Sequence, residues 1–202
     1  VFYFLNQKWW QLFVTLLILG TNFLPSFFAK KLKIILPIEF ELTIVAFIYA
    51  SIFLGWVLDF YGLIWWWDVV LHTFAGLALG FAGFLIVYTL YLDKRLVTTP
   101  FLAVLFAFSF SMMIAAIWEV FEYALDVFFN LNTQESGLPD TIGDIFVNAL
   151  GAGFASIVGY LYIKHQGKHQ LKHRHSLFSF FHYLISKFLK NNSHFVRNGQ
   201  KI

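Results

Sequence analysis

Residues 64–92 read IWWWDVVLHTFAGLALGFAGFLIVYTLYL, an apolar run long enough to cross a lipid bilayer as one helix. Asp68 and His72 stand four residues apart within it, and this spacing places both side chains on one helix face. Gly76 and Gly80 follow with the small-residue spacing that lets membrane helices pack closely. Ionisable groups at membrane depth are costly and usually face a bundle interior. The run therefore predicts a membrane-spanning helix whose polar and glycine-lined faces contact other helices.

The whole chain has the composition of an integral membrane protein. Of its 202 residues, 59% are hydrophobic and 12% are charged, well below the roughly 25% charged residues of soluble domains. There is no cysteine, which excludes disulfides and cysteine-ligated metals. The formal net charge of +3 comes from short basic clusters between apolar stretches. We therefore expect the lipid bilayer as a partner and no nucleic acid.

Apolar runs of about 20 residues predict five membrane-spanning helices. The predicted spans are roughly Trp9–Phe28, Ile34–Leu58, Ile64–Leu92, Pro100–Asp126 and Thr141–Ile163. Apolar residues with helical period at Leu177–Leu189 predict a further, amphipathic helix that lies in the membrane interface. The predicted fold class is all-α, a polytopic transmembrane helical bundle. Its transmembrane domain is expected at 1–166, and a cytoplasmic basic tail at 167–202.

The charges of the loops predict an orientation. The loops after the first and third spans, and the segment after the fifth, contain Lys or Arg, whereas 59–67 and 127–140 contain neither. Positive charge in short loops favours the cytoplasmic side. We therefore expect an integral protein of the bacterial inner membrane, with the carboxyl terminus in the cytoplasm. His165, His169 and His173 could bind a metal, but the lysines beside them favour contact with anionic lipid.

The fourth and fifth spans carry polar residues at the same helical spacing as the third. They are Glu119, Glu122 and Asp126 on the fourth span, and Asp140, Asp144 and Asn148 on the fifth. With the predicted orientation, the helical rise places them with Asp68 and His72 in one layer, within about 12 Å of the outer surface. The sequence therefore predicts one shared site, with Asp126 and Asp140 at its mouth.

Carboxylates crowded in a medium of low dielectric constant cannot all remain charged and unpaired. Three arrangements stay open: a bound divalent metal such as Zn, Mg or Mn, protons shared between carboxyls, or pairing with His72. A fourth interpretation is a polar network that only fixes helix register. Interhelical hydrogen bonds contribute about 0.6 to 2 kcal/mol each, so several buried carboxylates would be a costly way to achieve this.

The metal hypothesis assigns a role to each residue. The predicted metal ligands are Asp68, His72 and Asp144, the predicted catalytic acid–base residues are Glu119 and Glu122, and the predicted binding residues are Asn148, Asp126 and Asp140. Such a site predicts a metal-assisted enzyme acting on a lipid or cell-envelope substrate. The alternatives are a small transporter or ion-binding protein, and an accessory subunit whose polar cluster docks a membrane protein partner.

The same residues carry a resemblance to a known family. The motifs are WDVVLH at 67–72 with Gly76, WEVFE at 118–122 with Asp126, and DTIGD at 140–144 with Asn148 and Gly151-Ala152. They look like those of the YjdF-type (DUF2238) integral membrane proteins and, more distantly, of the VanZ-like membrane proteins associated with resistance to glycopeptide antibiotics. The resemblance covers about Trp65–Ala155 and implies a polar site on these three helices. Glu119 and Glu122 stand where VanZ-like proteins have Glu and then Gln.

Overall fold

The computed structural model describes residues 38–92, 94–134, 136–166 and 176–191, together with the isolated positions 16, 20, 23 and 27. All regular structure in these ranges is helical, which confirms the all-α prediction. The elements are α1 (Ile38–Ile48), a π-helix (Tyr49–Val57), α2 (Phe60–Leu63), α3 (Trp67–Leu92), α4 (Pro100–Phe129), α5 (Leu138–Gln166) and α6 (Ser176–Asn191). The predicted first span, Trp9–Phe28, lies outside the described residues except for those isolated positions.

Three of the described helices are long and apolar enough to cross a membrane: Trp67–Leu92, Pro100–Phe129 and Leu138–Lys164. They confirm the third, fourth and fifth predicted spans and the assignment as an integral membrane protein. The predicted second span contains a shorter apolar helix, Glu41–Val57, which falls within α1 and the π-helix.

Local sequence sets both ends of α4. The Thr99 hydroxyl accepts a hydrogen bond from the Leu102 amide at 3.3 Å, and Pro100 occupies the first turn, where its missing N–H costs nothing. Asn130 ends the helix in the left-handed conformation, with φ at 53°, which asparagine tolerates better than most residues. The following loop leads into α5, which begins at Leu138. Asp140 therefore lies inside the first turn of α5.

Helices α3 and α5 touch backbone to backbone. A Cβ atom built on Gly76 would overlap the main-chain carbonyl of Asn148, and one built on Gly151 would overlap the carbonyl of Thr73. These carbonyls belong to the helices themselves and cannot move aside without disturbing helical hydrogen bonds. Glycine at both positions therefore allows a helix separation that any side chain would prevent.

Small residues continue this packing deeper into the bundle. A Cβ at Gly80 would lie 3.0 Å from the Cβ of Ala155, and one at Gly83 would lie 3.0 Å from the Cα of Ala107 on α4. Both alanines are almost completely buried. The glycines that follow His72 thus serve contacts with α5 and with α4, as the sequence predicted.

Two buried serines add hydrogen bonds between the helices. The Ser111 hydroxyl of α4 donates to the carbonyl of Gly76 at 3.1 Å, and the Ser156 hydroxyl of α5 donates to the carbonyl of Val104 at 3.3 Å. Measured contributions of such bonds in membrane proteins average about 0.6 kcal/mol each. They fix the register of α4 against its two neighbours without introducing charge.

An aromatic cluster fills the other half of the α3–α5 contact. Phe84 and Tyr88 stack with ring centroids 5.5 Å apart, and Tyr162 packs edge-on against them at 6.2 and 5.6 Å. All three side chains are buried. Gly159 makes room for Phe84, whose ring would collide with a Cβ there. Aromatic pairs of this kind contribute about 0.5 to 1.5 kcal/mol beyond the burial of their area.

The described residues within 1–65 and 186–191 belong to a separate compact unit. Within its described part, the chain turns at Asp59, whose φ is 59°, and the ring of Tyr61 lies against Gly55. Glu39 of α1 forms an ion pair with Lys187 of α6. The amphipathic helix predicted at Leu177–Leu189 is present as α6, whereas the basic residues 167–175 lie outside the described ranges. The predicted domain boundary at residue 166 stays a prediction.

The role of the glycine contact can be tested with the pair Gly151→Ala and Gly153→Ala. A Cβ at Gly151 overlaps the Thr73 carbonyl, whereas a Cβ at Gly153 meets no atom within 4 Å. We expect Gly151→Ala to lower the free energy of unfolding in detergent by about 1 to 3 kcal/mol, the usual cost of overpacking. Gly153→Ala should leave it unchanged or slightly raised, because alanine favours the helix. If both variants changed the stability equally in an SDS or thermal unfolding assay, this result would contradict a stabilising role for the backbone contact at Gly151.

Candidate functional site

All eight polar residues of the predicted site lie at one end of the α3–α4–α5 bundle. This is the end at which residues 130–137 connect α4 to α5. Asp68 and His72 occupy the first turns of α3, the polar residues of α4 lie near its end, and those of α5 lie near its start. The opposite end carries Lys94 and Arg95. The structure thus brings the predicted residues into one layer.

His72 lies at the centre of this layer. Its Nε2 is 3.5 Å from Oδ1 of Asp68, and its Nδ1 is 3.9 Å from Oε1 of Glu119. The two ring nitrogens therefore face carboxylates on two different helices. A neutral imidazole has only one N–H, so it can donate a hydrogen bond toward only one of these carboxylates. The other carboxylate faces a nitrogen lone pair unless a further proton or a cation lies between them.

Two groups of three side chains around His72 have donor atoms close enough to hold a metal ion. One consists of Asp68, His72 and Asp144, and the other of His72, Glu119 and Glu122; within each, the donor atoms lie within 4.8 Å of one another. The first group, from α3 and α5, is the ligand set predicted from the sequence. One imidazole with carboxylates is a donor set that suits Zn or Mn.

Glu119 is the most buried carboxyl of the site, with 4% of the residue exposed. The hydroxyl of Thr141 interacts with it, but neither carboxyl oxygen has a hydrogen-bond partner among the residues that the structure describes. An isolated buried carboxylate is very unfavourable, and such a group is usually found neutralised, paired or bound to a metal. The burial of Glu119 therefore implies that a proton or a cation accompanies it.

Asp126 has a different environment from the other carboxylates. Its Oδ1 accepts hydrogen bonds from the amide and the hydroxyl of Thr133 at 2.7 and 2.6 Å, and its Oδ2 accepts one from the amide of Gln134 at 2.9 Å. Sequence reasoning placed this residue at the mouth of the site as a binding residue. Its contacts show that it anchors the loop between α4 and α5.

The loop also contacts both helices directly, through residues that sequence reasoning missed. The Thr133 hydroxyl lies 3.0 Å from the carbonyl oxygen of Glu122, and the Gln134 side-chain amide donates to the Thr141 hydroxyl at 2.6 Å. Thr141 in turn faces Glu119. Polar residues in a loop follow no helical period. The sequence indicated Thr133 and Gln134 only by their position between two helix ends that carry polar residues.

The two remaining predicted binding residues differ in depth. Asp140 is half-buried in the first turn of α5, close enough to Glu119 and Asp144 to repel them electrostatically. Asn148 is 2% exposed, and its side-chain amide points at the sulfur of Met112 from 3.9 Å. Sulfur is a weak acceptor, so this contact satisfies only part of the hydrogen-bonding capacity of Asn148. Its role as a binding residue stays a prediction.

The three helices provide no Lys or Arg near the site to balance the charge of these carboxylates. Neither α3 nor α4 contains Lys or Arg, and α5 contains none before Lys164 at its far end. Two charged groups attract or repel each other more strongly where water is excluded. The site is therefore a cluster of carboxylates around one imidazole, without a Lys or Arg of these helices beside it.

Comparison with protein-family models shows which family the chain belongs to. The family model described as "Predicted membrane protein (DUF2238)" matches residues 1–165. The chain belongs to the DUF2238 family. The match includes all the residues of the site, and it confirms the family resemblance seen in the motifs. Comparisons with curated proteins and with solved structures returned no match. The more distant similarity to VanZ-like proteins stays a prediction.

In this DUF2238 protein, tight packing follows directly behind the site. One turn beyond Asp144, the backbone of Asn148 lies against Gly76. The next α3–α5 contacts are made by glycine and alanine, and after them by Phe84 and Tyr162. Along the described contact between α3 and α5, the polar layer therefore ends after about one helical turn. Its polar groups are concentrated at the end of the bundle that carries the α4–α5 loop.

The loop-anchoring role of Asp126 in the DUF2238 protein predicts a local effect of its removal. In Asp126→Ala, we expect the amides of Thr133 and Gln134 to exchange hydrogen about tenfold faster or more, because hydrogen bonds to charged groups contribute about 1.5 to 3 kcal/mol each. Thr133→Val removes only the hydroxyl and should have a smaller effect. Hydrogen–deuterium exchange with mass spectrometry of this loop is the measurement. Unchanged exchange in Asp126→Ala would show that the carboxylate does not anchor the loop.

Proposed function

We propose that this protein binds a divalent metal ion at Asp68, His72 and Asp144 and uses it to hydrolyse or transfer a phosphoryl or acyl group of a lipid or cell-envelope substrate. The observation that carries this proposal is the convergence of three donor atoms from two helices within 4.8 Å. The buried carboxyl of Glu119, which lacks a hydrogen-bond partner among the described residues, supports it because it needs a compensating charge.

The chemistry of the donor set narrows the choice of ion. An imidazole with two carboxylates favours Zn or Mn over Mg, which prefers oxygen ligands and keeps several waters. Three protein ligands would leave a position for water or substrate, as in catalytic zinc sites. A bound ion of this kind polarises a phosphoryl or acyl oxygen, or activates water as a nucleophile.

The helices that carry the ligands pack closely next to the site, which favours a site that binds and positions a substrate. Thr73, whose carbonyl lies against Gly151, directly follows His72 in the sequence, and Asn148, whose backbone lies against Gly76, is one turn after Asp144. Ligands mounted on tightly packed helices keep their separations, and this preorganisation is what metal binding and catalysis require.

The surroundings of the site favour a substrate with an apolar part. Trp118 and Phe121 flank Glu119 and Glu122 on α4, are about half exposed, and pack on one another with ring centroids 5.7 Å apart. An exposed aromatic surface next to a polar site suits an acyl chain next to a polar head group. The loop charges support an extracytoplasmic location, because the loop at this end contains no Lys or Arg.

The two alternative functions have less support. A transporter needs a polar path that continues through the bundle, whereas the α3–α5 contact behind the site consists of small and aromatic residues. An accessory subunit that docks a partner through its polar cluster would turn these side chains outward. Here Asp68 and Glu119 face His72 instead.

The metal content of the purified protein tests the proposal. We expect bound Zn or Mn in the wild type, measured by inductively coupled plasma mass spectrometry after purification in detergent without chelators. The double variant His72→Ala, Asp144→Ala should lose it, because two of the three ligands are gone. Glu41→Gln, which neutralises a carboxylate on α1, is the matched control and should keep the metal. Equal, near-zero metal in the wild type and the double variant would refute the proposal.

The reaction itself can be tested on membranes. Metal-loaded protein is reconstituted into vesicles of bacterial polar lipids, and released head groups and fatty acids are measured by mass spectrometry. We expect one of these two products, formed at least about a hundredfold faster than by His72→Ala or by chelator-treated protein, since a metal stabilises transition-state charge by several kcal/mol. A fully loaded protein that releases neither product would contradict the enzymatic part of the proposal.

A further inference from the structure

The ring of His72 presents one nitrogen to each of two carboxylate groups. Nε2 faces Asp68 at 3.5 Å, whereas Nδ1 faces Glu119 at 3.9 Å. The in-plane directions of the two nitrogens point away from the ring on different sides, so a single ion cannot bind both. Asp68 of one group lies next to Nε2 and Glu119 of the other lies next to Nδ1, so the two groups offer two separate places for an ion.

The second group has the properties of a binding site in its own right. Glu119 and Glu122 are three residues apart on α4, a spacing that places them on one helix face. Their carboxyl oxygens and a nitrogen of His72 lie within 4.8 Å of one another. Glu119 is buried, and neither of its oxygens has a hydrogen-bond partner in the described part of the chain. Beyond the Thr141 hydroxyl that interacts with it, a cation or a proton would satisfy this carboxyl.

The charge of the cluster favours a second cation. The two groups together contain four carboxylates, those of Asp68, Asp144, Glu119 and Glu122. One divalent ion balances only two of these negative charges, and α3, α4 and α5 contain no Lys or Arg before Lys164. Uncompensated charge in a buried site is strongly unfavourable. Two divalent ions bring this charge closer to neutrality: with His72 as a bridging imidazolate one negative charge is left, against two with a single ion and a neutral ring.

We propose that the site holds two divalent cations, one on each side of the His72 ring. This inference rests on the proposed function, since it adds an ion at Glu119 and Glu122 to the one at Asp68 and Asp144. It also replaces the acid–base role predicted for the two glutamates with a role as metal ligands.

The proton balance of His72 follows from this arrangement. A neutral imidazole carries one N–H proton and one free lone pair, and the first cation takes the lone pair. The second cation can bind the other nitrogen only after its proton has left. Binding of the second ion therefore releases this proton to the solvent, and the bridging ring becomes an imidazolate.

The number of bound ions tests the inference. The purified protein is stripped with chelator, loaded with Mn²⁺ and dialysed, and manganese per chain is measured by inductively coupled plasma mass spectrometry. We expect two ions in the wild type and one in Glu119→Gln, Glu122→Gln, because glutamine keeps the shape of the side chain and removes its charge. Glu41→Gln is the control with the same chemical change on α1, and it should keep two.

Electron paramagnetic resonance provides an independent measurement on the same samples. Two Mn²⁺ ions that share one imidazole couple magnetically, so the wild type should give a broadened spectrum, and the double glutamine variant should give the spectrum of an isolated ion. The single variant Glu122→Gln repeats the test if the double variant unfolds in detergent.

The outcomes separate this inference from the proposed function. One ion per chain in both the wild type and the glutamine variant would overturn the second site and leave the first intact. Two ions with an uncoupled spectrum would overturn the shared imidazole. No bound manganese or zinc in the wild type would overturn the proposed function and the second site with it.

Discussion

The contact between the backbones of α3 and α5 determines how the rest of the bundle can be arranged. Gly76 meets the main chain of Asn148, and Gly151 meets the main chain of Thr73, so each helix supplies one glycine to a reciprocal contact. Without a hydrophobic force between helices in lipid, such close packing is the main source of helix association. Because backbone atoms cannot change rotamer, the crossing fixes the separation and register of both helices. This crossing of α3 and α5 therefore also determines the relative positions of His72 and Asp144.

Helix α4 joins this pair through weaker contacts. Its hydrogen bond from Ser111 to Gly76 and its packing at Gly83 hold it against α3, while Asp126 and the α4–α5 loop fix its end. The site thus has two sides that are held in different ways. Backbone contact sets the spacing of α3 and α5, whereas a hydrogen bond, the packing at Gly83 and the α4–α5 loop hold α4.

The sequence predicted the parts of this arrangement that depend on helical geometry. The four-residue spacing of Asp68 and His72 fixed their common face, and the loop charges with a rise of about 1.5 Å per residue placed the polar residues of α4 and α5 at the same depth. The glycine pattern after His72 predicted close packing. The path of a loop depends on individual hydrogen bonds and not on a period, so the role of Asp126 as an anchor for Thr133 and Gln134 was not predictable. For the same reason α5 begins earlier than Thr141, at Leu138.

A purely structural role accounts poorly for the acidic cluster. The same bundle fixes the register of its helices with Ser111 and Ser156, which are neutral and donate to carbonyls. Carboxylates around one imidazole repel each other and weaken this end of the bundle unless something compensates their charge. A cation that binds only the folded state would add stability by mass action, about 2.7 kcal/mol at a hundred times its dissociation constant. Binding and folding would then be coupled at the end of the bundle where the carboxylates of α3, α4 and α5 converge, and a bound ion would offset the destabilisation that their repulsion causes.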